Sequence, residues 1–135
     1  MKFNNTQPIF LQIEDWICEQ ILQQEWQSGA RIPSVRDLAV ELEVNPNTVM
    51  RAYDRLQQSE LIVIQRGIGY FLSEQAYEQV LAMRRSYFFE KELPEFIKKM
   101  QTLGVKPEEV WRFALRAPLG GVTLRSTNLR FTSFR

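Results

Sequence analysis

The sequence predicts a mainly α-helical protein with one small β-hairpin, and three observations support this fold class. Apolar residues recur at helical spacing in several separate segments. A β-branched run at residues 61–66 precedes a Gly67-Ile68-Gly69 turn and a short returning strand at 70–72. The chain has 135 residues, 44% of them hydrophobic and 12% aromatic, which suffices for one packed domain or two small ones.

The first predicted helix begins at or just after Pro8, because proline suits a first helical turn. Its apolar stripe consists of Phe10, Ile13, Ile17 and Ile21, widened by Trp16. Cys18 is interpreted as a small apolar residue of this helix. Residues 27–30 should break the helix, and residues 31–33 are expected to run extended beside the hairpin.

The segment 33–72 predicts two short helices that meet at a tight turn, followed by the hairpin. Ser34 is placed to cap the first of these helices. Pro46 disfavours helical geometry at the residue before it but suits the first turn of a new helix. Ala39 is small enough for a close helix crossing and lies ten residues before the apolar Val49. This spacing is typical of a helix-turn-helix, and the hairpin makes it a winged form.

The second helix of this unit has one apolar face and one polar face. Its apolar face holds Val49, Ala52, Tyr53 and Leu56, and its polar face holds Asn47, Thr48, Arg51 and Arg55. A helix fits the major groove of DNA, where base edges present distinguishable donors and acceptors. We therefore interpret the helix from Asn47 as a DNA-reading helix; the alternative is a solvated helix face.

The position of each polar residue suggests its role. Asn47 and Thr48 lie at the helix start, where short side chains and free N–H groups bind phosphate or bases. Arg51 projects one turn later and is the preferred reader of a base edge. Arg55 lies further along and is expected to meet a backbone phosphate, or else to pair with Asp54 or Glu41.

Residues 8–72 resemble the winged-helix domain of GntR-family bacterial transcription regulators. The resemblance rests on PIFLQIEDWI, SGARIPSVRDLA, VNPNTVMRAYDRL and RGIGYFL. VNPNTVMRAY, followed by a short helical remainder, is similar to the YtrA-like branch in particular. One departure is Glu43, where such turns usually carry glycine; a left-handed conformation there costs a non-glycine residue roughly 1 kcal/mol.

The resemblance implies DNA contacts outside the reading helix. Arg36 matches an arginine that touches DNA in the family, which implies a phosphate or guanine contact. Arg66 precedes Gly67, where the missing side chain would let the backbone approach the minor groove while the arginine enters or flanks it. The alternative is a wing that only covers the hydrophobic core and makes no contact with DNA. Met50 stands where other branches of the family often carry arginine, so this chain is not expected to recognise the same bases as those branches.

Residues 73–115 are predicted to be helical and to form a homodimer, because their apolar faces exceed what so few residues can cover alone. Ser73 is placed to cap the first helix, Leu93-Pro94 should interrupt it, Gly104 should end the second piece, and Pro107 should begin another. An aromatic cluster suits either the dimer core, which we favour, or an effector pocket: Tyr87, Phe88, Phe89, Phe96 and Trp111.

Charge is unevenly distributed along the chain. Residues 1–72, the predicted DNA-binding domain, hold six Lys and Arg against nine Asp and Glu. Residues 116–135 hold four arginines and no acid, and are interpreted as a basic tail, accessory or non-native. DNA binding must therefore depend on where the charges lie. The acids assigned to the first helix are expected to lie away from the contact face: Glu14, Asp15, Glu19 and Glu25.

Together these features predict a sequence-specific DNA-binding transcription regulator that binds a palindromic operator as a homodimer, with repression favoured by the resemblance. The alternative is a winged-helix protein–protein interaction module. No enzyme, cofactor or metal site is expected, because the chain has no histidine and a single cysteine. No stretch approaches the roughly 20 apolar residues that span a bilayer, and no signal peptide is evident, so a cytoplasmic protein is expected.

Overall fold

A computed structural model describes residues 1–116 and confirms a mainly helical fold with one small β-sheet. In this range the elements are α1 (Ile9–Leu22), α2 (Val35–Leu42), α3 (Pro46–Gln58), β1 (Ile62–Gln65), β2 (Gly69–Leu72), α4 (Ala76–Tyr87), α5 (Leu93–Leu103) and α6 (Pro107–Arg116). One compact unit spans Met1–Tyr87, and a second begins at Phe88. Apart from Arg116, the predicted basic tail lies outside the described residues.

The core of the first unit is built from the apolar faces of α1 to α4 and the inner face of the hairpin. The most deeply buried large side chains are Tyr53, Ile13, Ile17, Ile21, Leu38, Ile62, Val49 and Val80. Cys18 is buried among them, as its interpretation as a small apolar residue requires. Ala76 and Val80 of α4 belong to the same core, so the compact unit continues past residue 72.

Capping side chains and a proline set the limits of α2 and α3. The Ser34 hydroxyl accepts the Asp37 N–H at 3.1 Å, as predicted. Helix α2 ends at Leu42, and the next residue, Glu43, adopts the left-handed conformation with φ 55° and ψ 47°. Helix α3 then begins with proline, and the Asn45 side chain accepts the Asn47 N–H at 2.8 Å. The tight turn therefore forms with glutamate at the position where the resemblance led us to expect glycine.

The start of α4 corrects the prediction that Ser73 caps it. The Tyr77 N–H donates to the Ser28 hydroxyl at 3.1 Å, whereas the Ser73 hydroxyl donates to Gln79 Oε1 at 2.9 Å. Ser28 reaches α4 because the next residue, Gly29, adopts φ +77° and donates its N–H to the Ser73 carbonyl at 3.1 Å. The cap thus comes from 49 residues earlier in the chain, where no local pattern indicates it.

The hairpin is a short antiparallel ribbon with a third segment beside it. Strands β1 and β2 pair with Ile62 opposite Leu72, and both side chains are buried. Arg31 forms an antiparallel bridge with Phe71 on the other edge of β2. This bridge, with the Ile32 N–H donating to the Tyr70 carbonyl at 3.0 Å, confirms the prediction for the first two of residues 31–33 and ties the segment before α2 to the hairpin.

The second unit begins with one π-helical turn, Phe88–Glu92, which is directly followed by α5. Pro94 explains the wider turn, because it has no N–H to donate and its ring crowds the carbonyl four residues earlier. The interruption predicted at Leu93-Pro94 therefore falls just before the proline. As predicted, α5 ends at a left-handed Gly104 and α6 begins at Pro107. The exposed apolar side chains of this unit include Phe88, Phe89, Phe96, Ile97, Leu103, Phe113 and Leu115.

Candidate nucleic-acid interface

Helix α3 has the two faces that the sequence predicts. Its inner side chains Val49, Ala52 and Tyr53 are all 0% exposed. On the outer face Arg51 and Arg55 are exposed, as is Asn47 at the helix start, while Thr48 is half-buried. The guanidinium group of Arg51 therefore lies at the surface, where a direct contact with a base requires it.

The start of α3 corrects one part of the sequence interpretation. Asn47 and Thr48 were expected to offer free backbone N–H groups to a phosphate or base. Both groups are already used, because the Asn47 N–H donates to the Asn45 side chain and the Thr48 N–H donates to the Asn45 carbonyl at 3.0 Å. Any contact from this turn is thus left to the two side chains.

Tyrosines hold the wing against α3. The ring of Tyr70 on β2 meets the ring of Tyr53 on α3 edge to face, with centroids 5.0 Å apart. The Tyr53 hydroxyl donates to the Pro33 carbonyl at 2.7 Å, and the Tyr70 hydroxyl lies 3.9 Å from Met50 Sδ. Burial raises the pKa of Tyr53, so this hydroxyl stays protonated and keeps donating. The wing and α3 are therefore linked by packing and by hydrogen bonding.

The tip of the wing is open and carries the predicted arginine. Arg66 is exposed, and the turn is closed by the Ile68 N–H, which donates to the Gln65 carbonyl at 3.0 Å. Gly67 has φ +76°, and a Cβ at this position would meet no atom within 4 Å. The backbone at the tip can thus be approached closely. Arg36 is likewise exposed, in the first turn of α2.

Arg31 is a basic residue near the wing that the sequence interpretation missed. Its guanidinium lies across β2 at Gly69, where a Cβ would be 3.1 Å from Arg31 Nε. Gly69 itself has φ +148°. The predicted extended run at residues 31–33 could have indicated this position for Arg31, because pairing with β2 brings the residue beside the hairpin. The wing therefore carries a second arginine besides Arg66.

Arg55 has an ion-pair partner on α1, which corrects two expectations. Its Nε donates to Glu14 Oε1 at 2.7 Å, so the partner is neither Asp54 nor Glu41. The Glu14 side chain is only 14% exposed, compared with 51% for Arg55. The acids of α1 are thus not all separated from the contact face. Asp15 pairs in turn with Arg84 of α4 at 3.3 Å.

An aromatic ring on α1 lies beside both arginines of α3. The Arg51 Cζ is 3.9 Å from the centroid of the Phe10 ring, and the Arg55 Cζ is 5.4 Å from it. Phe10 was predicted only as part of the apolar stripe of α1. Contact with charged residues about 40 positions later cannot be read from helical periodicity.

Within residues 1–116, no group of three or more His, Cys, Asp or Glu side chains could hold a metal ion. Burial raises the pKa of the Cys18 thiol although Arg84 opposes this effect, so the thiol is neutral and unreactive near neutral pH. No helix in this part of the chain has the length and apolar character needed to cross a bilayer.

Comparisons with known proteins agree with this geometry. The sequence model of the family described as "Bacterial regulatory proteins, gntR family" matches residues 10–72. The chain is 33% identical over 109 residues to the HTH-type transcriptional regulator YhcF of Bacillus subtilis, covering 81% of this chain and 88% of that protein. It is also 33% identical over 103 residues to the HTH-type transcriptional repressor YtrA of Bacillus subtilis, covering 76% and 78%.

The fold has a similarly close counterpart among solved structures. A GntR family transcriptional regulator from Listeria monocytogenes matches with a TM-score of 0.71 and 33% sequence identity. The match covers 85% of this chain and 99% of that one. The likeness therefore extends well beyond the winged segment.

Proposed function

This chain belongs to the GntR family of bacterial regulatory proteins, and we propose that it is a repressor that binds a palindromic operator as a homodimer. It is a transcription regulator with a DNA-binding helix-turn-helix, and not an enzyme. One observation carries the finer proposal: Arg51 is exposed on the outer face of α3, while the inner face of that helix is fully buried. Repression is favoured by the 33% identity to YtrA, which is described as a repressor.

Each predicted contact has a place in this proposal. Arg51 reads a base edge in the major groove, because an arginine fork matches guanine O6 and N7. The side chains of Asn47 and Thr48 approach the same groove from the first turn of α3. Arg36 contacts a phosphate or a guanine, and Arg55 contacts the DNA backbone. Arg66 enters or flanks the minor groove, where Gly67 allows close approach. Such a surface works on the chromosome, so we place the protein in the cytoplasm.

Dimerisation is proposed for residues 73–115, with residues 1–72 as the DNA-binding domain. The unit that begins at Phe88 exposes many large apolar side chains, which is unusual for a monomer. Helix α4 is anchored to the first unit, since Ala76 and Val80 are buried in its core. Two-fold protein symmetry then implies a two-fold symmetric operator.

Truncation tests the dimer. A chain ending at Tyr87 keeps the whole core of the first unit, so we expect a folded monomer that binds the operator weakly. Sedimentation equilibrium and thermal unfolding of the full and truncated chains measure assembly and folding separately. A monomeric full chain, or a truncated chain that still dimerises, contradicts the proposal.

The operator is tested by selecting bound sequences from random duplex DNA. We expect an enriched motif whose two halves are inverted copies of one another. Enrichment of a single half-site contradicts the palindrome, and no enrichment contradicts sequence-specific binding. The second candidate, a protein–protein interaction module, is favoured by the nine acids against six basic residues in 1–72 and predicts this last result.

A further inference from the structure

The arrangement of α1 against α3 brings an aromatic ring and a carboxylate to the two arginines of the proposed reading face. Phe10 and Glu14 are four residues apart on α1, and Arg51 and Arg55 are four residues apart on α3, so each pair lies on one helix face. Phe10 contacts both guanidinium groups, and Glu14 binds Arg55. The first helix therefore supports the outer face of α3 as well as its buried face.

The contacts restrict where each guanidinium group can go. A free arginine samples many rotamers, whereas a cation over an aromatic face is attracted to the negative face of the ring. Arg51 is 3.9 Å from the ring centroid, well within the roughly 6 Å range of this attraction. Arg55 uses Nε for Glu14, which leaves its two terminal nitrogens for another acceptor. Both side chains are thus partly ordered before any DNA arrives.

We propose that Phe10 is a positioning residue for DNA recognition, because it holds the Arg51 guanidinium in the orientation that contacts a base. The inference rests on the proposed function and adds a residue to it. Phe10 itself does not touch DNA. It acts by reducing the freedom that Arg51 loses on binding, which is a recognised route to higher affinity.

A double-mutant cycle tests the proposal. Binding of the full chain to its selected operator and to a scrambled duplex is measured for the wild type, Phe10→Leu, Arg51→Ala and the double variant. Phe10→Leu keeps an apolar side chain but removes the ring, and we expect it to weaken operator binding about two- to fivefold. Phe10→Tyr retains the ring and should bind like the wild type. In the Arg51→Ala background, Phe10→Leu should weaken operator binding by a clearly smaller factor.

Two further measurements separate positioning from a structural effect. Trp16→Leu removes another ring of α1, one that packs on Trp26 and not on the arginines, and should leave the ratio of operator to scrambled affinity unchanged. In ¹⁵N NMR spectra of the protein without DNA, the Arg51 Nε–H signal should lose its ring-current shift in Phe10→Leu. This readout remains available in any variant that keeps a folded spectrum, including Phe10→Tyr.

The outcomes distinguish the inference from the function on which it rests. A wild type that does not prefer its selected duplex overturns both. If the wild type binds as proposed, equal losses from Phe10→Leu in both backgrounds overturn the positioning role and leave the regulator intact. An unchanged Arg51 signal in Phe10→Leu overturns it too. The positioning role is supported if Phe10→Leu weakens operator binding only when Arg51 is present and Phe10→Tyr binds like the wild type.

Discussion

Arg51→Ala should remove one base contact from each half of the operator. A well-placed arginine that binds a guanine through two hydrogen bonds discriminates by about 1–3 kcal/mol, which is roughly a 5- to 150-fold loss of affinity per contact. Arg51 suits this role because it is exposed on the outer face of α3 and already lies over Phe10. The loss should appear with the operator and be much smaller with a scrambled duplex.

Fluorescence anisotropy with labelled duplexes measures this difference directly. Each base pair of one half-site is replaced in turn, and the variant should lose its preference at one position only. Arg55→Ala is the matched control, because it removes the same side chain one turn later on the same helix. We expect this control to weaken operator and scrambled DNA alike and to reduce the salt slope by about one unit. If Arg51→Ala also weakens both duplexes equally, Arg51 contacts phosphate and its assignment as a reader is wrong.

Three other substitutions test the electrostatics, the turn and the core. Glu14→Gln removes a negative charge beside Arg55, and filter binding should show operator and scrambled duplex both bound on the order of two- to fivefold more tightly at low salt; unchanged affinity would mean that this charge lies far from DNA. Glu43→Gly relieves a left-handed residue and should raise the free energy of unfolding in urea by about 1 kcal/mol, and a decrease would show that the turn is unstrained. Since burial raises the pKa of Cys18 from its ordinary 9.0, the thiol ionises first in the unfolded chain, so stability should fall as pH rises above that value. Cys18→Ala should remove this part of the pH dependence, and an identical profile in both proteins would contradict the stated cause.

The features that could be predicted from sequence are those specified by neighbouring residues. The start of α2 follows from Ser34 and the start of α3 from Pro46, each of which acts within one helical turn of itself. Glycines at 67 and 69 define the tip of the wing in the same way. Both faces of α3 could be assigned because its apolar residues recur at helical spacing and leave one polar stripe.

The features that could not be predicted depend on contacts between distant segments. Arg55 was expected to meet a backbone phosphate, or else to pair with Asp54 or Glu41, but its carboxylate partner in the structure is Glu14, 41 residues away. The cap of α4 likewise comes from a distant residue, Ser28, and not from the neighbouring Ser73. Phe10 was assigned to the core from its spacing alone, since periodicity indicates which face a residue occupies and not which charged groups lie over it. These contacts are fixed only when α1 packs against α3 and α4.

Salt dependence of DNA binding tests the central claim most directly. The claim is that arginines of α2, α3 and the wing meet phosphates and base edges of one duplex, although residues 1–72 are acidic in sum. Affinity of the full chain for its selected operator is measured between 50 and 200 mM salt. If several phosphates are contacted, it should fall by roughly 10³ or more over this range. An affinity that stays constant over the same range would contradict DNA as the ligand of this surface.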